Sequence, residues 1–223
     1  MSLLSRWRFD RALKTLGNAP HSCLQTYANA DWPGGECLAK DAPYLALDFE
    51  LDGLRMDSHL LQAGWTPFQG SAISLRHAQS IDIRSDATLD VEAVTIHGIG
   101  EQRAACGEPL GDVIAALIEA LSGRIMVAHA AGIERHALTR AAKALFVIAP
   151  PIRSVCTLTL ERELHPNLVG GEAYRLGPTR SRYGLPDYAA HDALTDAIAA
   201  AELFQAQLTR LPENTTLSAL GAG

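Results

Sequence analysis

The sequence predicts an α/β domain built on a mixed, five-stranded sheet flanked by helices. Three observations predict it: short apolar runs open the regular part of the chain, segments with helical spacing follow, and two further short strands alternate with those helices. Parallel and antiparallel neighbours both follow from that order, because a meander pairs antiparallel whereas a strand reached through a helix pairs parallel. At 223 residues the chain suffices for one such domain with short extensions. Its composition is 48% hydrophobic and 20% charged, which excludes a disordered chain and supplies a sizeable core.

Residues 1–43 differ in kind from the rest of the chain. Leu3, Leu4, Trp7, Leu13 and Leu16 mark a short amphipathic helix made basic by Arg6, Arg8, Arg11 and Lys14, and Trp32-Pro33-Gly34-Gly35 closes the stretch. We read it first as an extension packed on its own domain, with a docking element for a protein partner, or a nucleic-acid arm, as the alternative. The regular domain spans 44–211. Residues 44–51, 60–68 and 72–77 form a three-strand meander, with Gly70 at the second turn. Leu110, Val113, Ile114, Leu117, Ile118 and Leu121 give a helix over 109–121 that ends at Gly123. A buried strand at 125–128, a helix over 132–145, a strand at 152–158 and a long helix over 190–211 complete the domain, and 212–223 are left as a tail.

Several classes are excluded. No stretch reaches the roughly 18 apolar residues needed to cross a bilayer, and Arg6, Arg8 and Asp10 occupy the place of a signal-peptide core, so we expect a cytoplasmic protein without a membrane partner. Cys23, Cys37, Cys106 and Cys156 make no Cys-x-x-Cys pair and read as reduced thiols. There is no Gly-Lys-Ser/Thr phosphate loop, Gly98-Ile99-Gly100 is too short for a dinucleotide site, and His129, Glu134 and His136 do not form a zinc-protease motif. The net charge of 19 − 25 = −6 disfavours long duplexes held on a broad basic surface. It leaves room for a nuclease, since acidic metal ligands count as bare negative charge until cations reverse the local field.

Three segments carry the chemistry. Asp48-Phe49-Glu50 ends an apolar strand, where alternate residues share a face and two carboxylates lie side by side. Such a buried like-charge pair is costly without a cation, so it points to a hard divalent metal. His191 and Asp196 lie five positions apart, about 140° around a helix axis, so they are not stacked neighbours. His191 therefore fits the loop or first turn, Asp196 projects inward, and Ala199, Ala200 and Ala201 let the helix lie close to the strand of Asp48 and Glu50. Glu134 follows the strand end at Val127-Ala128-His129, on the first turns of a helix whose dipole already favours an acid there.

Together these segments resemble, in order and spacing, the three motifs of the DnaQ-like 3′–5′ exonuclease superfamily, in the branch with a histidine in the third motif and with likeness to the DNA polymerase III epsilon subunit. The resemblance covers about residues 44–211. Asp48-Phe49-Glu50-Leu51-Asp52-Gly53-Leu54 is similar to Asp-x-Glu-Thr-Thr-Gly-Leu, residues 127–134 to Val-x-His-Asn-x-x-Phe-Asp, and residues 191–197 to His-x-Ala-x-x-Asp-Ala. His97-Gly98-Ile99 also looks like a family landmark. Leu51 and Asp52 replace two threonines, Ala130 replaces the asparagine, and Glu134 replaces the second motif's aspartate.

The resemblance implies a ribonuclease-H-like fold and two Mg²⁺ or Mn²⁺ ions about 4 Å apart. Asp48 would bridge them, Glu50 and Asp196 would complete one, Glu134 would serve the other, and His191 would act as general base on the attacking water. Leu51, Gly53, Leu54, His97 and His129 are weaker candidates for contact with the single-stranded 3′ end of a DNA or RNA substrate. Two alternatives stand beside this reading: a nuclease-derived binding or adaptor module with weak or no cleavage, and a hydrolase of short oligoribonucleotides.

Overall fold

The computed structural model describes residues 3–53, 55, 58–87 and 89–222. In chain order its elements are α1 (Leu3–Leu16), α2 (Ser22–Ala28), β1 (Pro43–Leu51), β2 (Leu60–Gln69), β3 (Ala72–Ile73), β4 (Gln79–Asp82), α3 (Val91–His97) and α4 (Glu101–Ala105). Then come α5 (Leu110–Ala120), β5 (Ile125–Ala128), α6 (Gly132–Phe146), β6 (Ser154–Cys156), α7 (Thr157–Leu164), α8 (Leu176–Arg182) and α9 (Ala193–Leu208).

β1 is apolar on both faces, which is the pattern of a central strand. It pairs antiparallel with β2 and parallel with β5, in the sheet order β3-β2-β1-β5-β6, and β4 also pairs with β2. Leu45, Leu47 and Phe49 join the core under α2, α5 and α6, whereas Tyr44 and Ala46 face the core under α9 with Ala197, Ala201 and Phe204. That alternation puts Asp48 and Glu50 on the α9 face by strand periodicity alone.

The sheet has six strands rather than five. The segment 72–77 is a strand only at Ala72–Ile73 and then turns through a short 3₁₀ helix, Leu75–His77, so that Gln79–Asp82 can add to β2 opposite Gln62–Trp65. β4 is a polar edge strand without alternating apolar residues, so hydrophobic patterning carried no signal for it. The strand at 152–158 shortens to Ser154–Cys156 because α7 begins at Thr157. The last helix begins at Ala193, where the Asp192 carboxylate accepts the Thr195 amide hydrogen bond (3.0 Å) as an N-cap.

α9 lies unusually close to the sheet. A Cβ built on Gly64 of β2 would come within 2.1 Å of backbone atoms of Ala193 and Leu194, so only glycine permits the approach. Ala193 N–H donates to Gln62 Oε1 (2.9 Å), which fixes the helix start on the same strand. α1 and α2 pack beside α5 on the opposite face, and Leu16, Cys23, Leu24 and Tyr27 enter the same core as Leu45 and Leu47. Leu217 and Ala222 of the last segment are buried as well, and buried Arg153 donates to both Pro33 O (2.6 Å) and Ala222 O (3.1 Å). No described helix is long and apolar enough to cross a membrane.

α6 ends at Val147, whose φ of +67° is left-handed and whose side chain is 90% exposed. A β-branched residue is strained there, and glycine is the usual solution at this position. Val147→Gly is expected to stabilise the protein by about 1 kcal/mol, or roughly 2–4 °C in melting temperature, with no change in fold. An unchanged or lowered melting temperature would show that the terminus carries no such strain.

Candidate active site

Three elements deliver the candidate side chains to the carboxyl end of β1. Asp48 and Glu50 come from β1 itself, Asp196 from the first turn of α9, and Glu134 from the first turn of α6. Asp196 Oδ2 accepts the His191 backbone N–H (2.7 Å), and the Tyr188 phenol also donates to the Asp196 carboxylate. His191 sits just ahead of the helix with φ +69°, a left-handed conformation that costs a non-glycine residue of order 1 kcal/mol or more. The Asp196 bond holds that conformation, and the histidine stays exposed. Ligand atoms of Glu50, His191 and Asp196 lie within 4.8 Å of one another.

The loop between β5 and α6 brings in the fourth acid. Ala130 there has φ +67°, a conformation that asparagine, the residue of the similar motif, tolerates better than alanine. Glu134 is 4% exposed, and its Oε2 has no hydrogen-bond partner among the described residues. A buried unpaired carboxylate oxygen requires an explanation, and a cation is the ready one.

The electrostatics point the same way. Burial raises the Glu134 carboxyl from 4.5 to about 8. Burial, reinforced by Asp196 and Asp192, raises Glu50 to about 7. Asp48 retains partial surface exposure yet is closely surrounded by protein. Burial and then the charges of Glu134, Asp196 and Glu50 push its carboxyl well above the carboxylate range. Asp196 is also raised by burial, against the opposing hydrogen bonds from Tyr188 and His191. Four acids from three chain segments thus share one small volume, each disfavouring ionisation of Asp48 or being disfavoured by burial. An all-oxygen carboxylate set with an adjacent imidazole suits hard divalent cations.

The weaker candidates fall into different surroundings. Leu51 and Gly53 line an apolar hollow of about 240 Å³ beside α6, together with Ile133, Ala137 and Arg140. Leu54 lies outside the described residues. Asp52 is turned inward, where its carboxylate holds both the backbone N–H and Nδ1 of His59 (2.7 Å each), so it serves the β1–β2 loop. His97 is 8% exposed at the end of α3. Its Nδ1 accepts the Ile99 N–H (3.1 Å), and its Nε2 has no partner among the described residues. His129 has both ring nitrogens engaged, Nε2 with Tyr174 O and Nδ1 with Thr157 Oγ1 (2.9 Å each).

Sequence reasoning missed one wall of the site. A cleft of about 560 Å³ opens beside His191 and Asp196 and is lined by Arg162, Tyr174, Arg175, Leu176, Arg180 and Tyr188 among others. Tyr188 lies in a loop with no periodicity, eight positions before the acid it touches, so no spacing rule could link the two. Arg180 is buried under its ring, 5.0 Å from the centroid, and is committed to Ala199 O, Pro186 O and Glu202.

A family model described as an exonuclease, RNase_T, matches residues 45–204, a span that holds all five candidate residues. A comparison with curated protein sequences gives no match. Among solved structures, the zinc-ion-bound complex of E. coli exonuclease I with single-stranded DNA has a TM-score of 0.67 at 17% identity, covering 78% of this chain and 42% of that one. The exonuclease I structure described as suggesting how processivity is achieved gives 0.68 at 17% identity, with the same coverage. A product-bound exonuclease I structure gives 0.66 at 15% identity, over 76% and 44%. The chain spans less than half the length of these neighbours, and the likeness is one of fold.

The raised carboxyls make the stability of the metal-free protein fall as pH rises. Below about pH 4.5 these acids are protonated in both folded and unfolded chains. Between there and pH 8 the folded state binds more protons, and the advantage is lost on passing Glu50 near 7 and Glu134 near 8. In EDTA the melting temperature is expected to drop by at least about 3 °C between pH 5.5 and 8.5, and saturating Mn²⁺ is expected to abolish the drop. Identical pH profiles with and without Mn²⁺ would remove the cation from this account.

Proposed function

Because the chain belongs to the RNase T exonuclease family, we propose that it hydrolyses phosphodiester bonds at the 3′ ends of single-stranded nucleic acid, releasing one nucleotide at a time. The observation that carries the reading is the convergence of Asp48, Glu50, Glu134 and Asp196 at one strand end, with His191 beside them. A structural core has no use for four mutually destabilising acids. A metal-assisted phosphoryl transfer does.

Asp48, Glu50 and Asp196 would hold one Mg²⁺ or Mn²⁺ ion, and Asp48 with Glu134 a second. Such ions supply Lewis acidity at the phosphoryl oxygens and at the attacking water. The residues of the chain do the rest. His191 presents an exposed imidazole at the end of a hydrogen-bonded loop, so it can accept the proton of water in the approach to the phosphorus. Tyr188 and the His191 N–H fix the Asp196 carboxylate so that it need not reorganise as charge develops. Gly64 and the α9 alanines fix the distance between Asp196 and β1, a second-order but strict requirement for positioning.

A nuclease-derived adaptor that has lost cleavage would shed some of these positions. All five are present and gathered, which favours an active enzyme. The zinc-bound exonuclease I complex is with single-stranded DNA, and we carry that substrate form to this chain as part of the proposal.

Two substitutions test it. Asp48→Asn is expected to reduce stepwise shortening of a 5′-labelled oligonucleotide by at least about 10³-fold, or about 4 kcal/mol in the barrier, while leaving the metal-free protein at least as stable as the parent. An Asp48→Asn protein that unfolds would identify a structural carboxylate instead. Glu134→Asp withdraws the carboxylate by about 1.5 Å and is expected to cost about ten-fold or more in rate. A Glu134→Asp enzyme as fast as the parent would show that this acid is not placed for its length.

A further inference from the structure

The cleft beside His191 and Asp196 has a composition that the hydrolytic site does not explain. Its volume, about 560 Å³, lies within the roughly 300–1,000 Å³ of small-ligand sites. Arg162 and Arg175 line it as exposed residues, and the Arg162 guanidinium lies 5.5 Å from the ring centroid of the buried Tyr174. Tyr188 offers an aromatic ring, backed by Arg180, and Leu176 and Pro178 add apolar surface. An aromatic ring, apolar patches and guanidinia are what a flexible nucleic-acid strand needs for its bases and phosphates.

The supply of positive charge there is short. Arg180 is already spent on Glu202 and two carbonyls, and Arg175 shares an exposed ion pair with Glu172 (3.1 Å) that a phosphate can displace. Asp187 also lines the cleft. The basic helix α1 packs beside α2, which packs on α5, on the face of the sheet away from α9, so it does not prolong this track. The chain as a whole carries −6.

From these observations, and resting on the nuclease reading above, we propose that this cleft holds the one or two nucleotides on the 5′ side of the bond to be cut. In that role Arg162 and Arg175 are its phosphate contacts, and the preferred substrate is a short single-stranded oligonucleotide. Two phosphate contacts set a weak salt dependence, with a slope of log affinity against log salt of about −1.4, twice the roughly −0.7 per contact of single strands. Longer strands gain no further contacts among the described residues and should not bind more tightly.

The test uses the full chain with Mn²⁺ and 5′-labelled oligothymidylates and oligouridylates of two, four, eight and sixteen nucleotides. The p-nitrophenyl ester of thymidine 5′-phosphate, in which nitrophenol replaces the 5′-side nucleotide, serves as the substrate that bypasses the cleft. We expect KM to fall from two to four nucleotides and then level off, with log(1/KM) falling against log salt at a slope of about −1.4. The double variant Arg162→Ala/Arg175→Ala should lose at least about ten-fold more on the tetranucleotide than on the ester, mainly through KM, and its salt slope should approach zero. A steady rise in affinity to sixteen nucleotides, or equal losses on tetranucleotide and ester, would overturn the cleft assignment while leaving the nuclease reading intact. Hydrolysis of neither the ester nor any oligonucleotide would overturn both. The thymidylate and uridylate arms show which sugar the cleft accepts, and a plateau in either series supports the proposal.

Discussion

The structure turns on an unfavourable interaction held in place by favourable ones: four carboxylates crowded at the carboxyl end of β1. Their mutual repulsion and burial cost free energy in the absence of cations, as the upward shifts of Asp48, Glu50 and Glu134 show. The compensation lies in two cores on either side of the sheet. Leu45, Leu47 and Phe49 anchor β1 from below, and Tyr44 and Ala46 anchor it from the α9 side. A strand gripped on both faces cannot shift to separate its own charges.

The closeness of α9 follows from the smallest residues in the chain. Gly64 admits the Ala193 backbone, and Ala197 and Ala201 admit β1, so Asp196 reaches Asp48 and Glu50 without a long side chain. The outer support is polar. Gln62 ties the start of α9 to β2 and also donates to Asp82, which Arg103 grips with two hydrogen bonds of 2.7 Å. β4, the strand that patterning did not reveal, therefore has a part in fixing the site through Asp82.

Much of this was legible from sequence because it depends on local rules. Strand period placed Asp48 and Glu50 on one face, the helix angle separated His191 from Asp196, and the alanines announced a close helix–strand approach. What escaped were features created by tertiary contact. Tyr188 meets Asp196 across an irregular loop, the short helices α7 and α8 that build the cleft have little room for periodicity, and the edge strand β4 is polar. Asp52 stands where the similar motif has a threonine, and its hydrogen bonds to His59 tie it to its own loop. Residue type indicated what each position could do, and only the packing decided which partner it met.

In the proposed mechanism these acids form a cation site that stays partly protonated until the cations arrive. Calorimetric titration of Mn²⁺ into the metal-free protein at pH 7, in buffers of different ionisation enthalpy, measures both stoichiometry and proton release. Two ions per chain and the release of about one to two protons are expected, because carboxyls raised to about 7 and about 8 must ionise to bind metal. Binding with no proton release, or no binding at millimolar Mn²⁺, would contradict this mechanism.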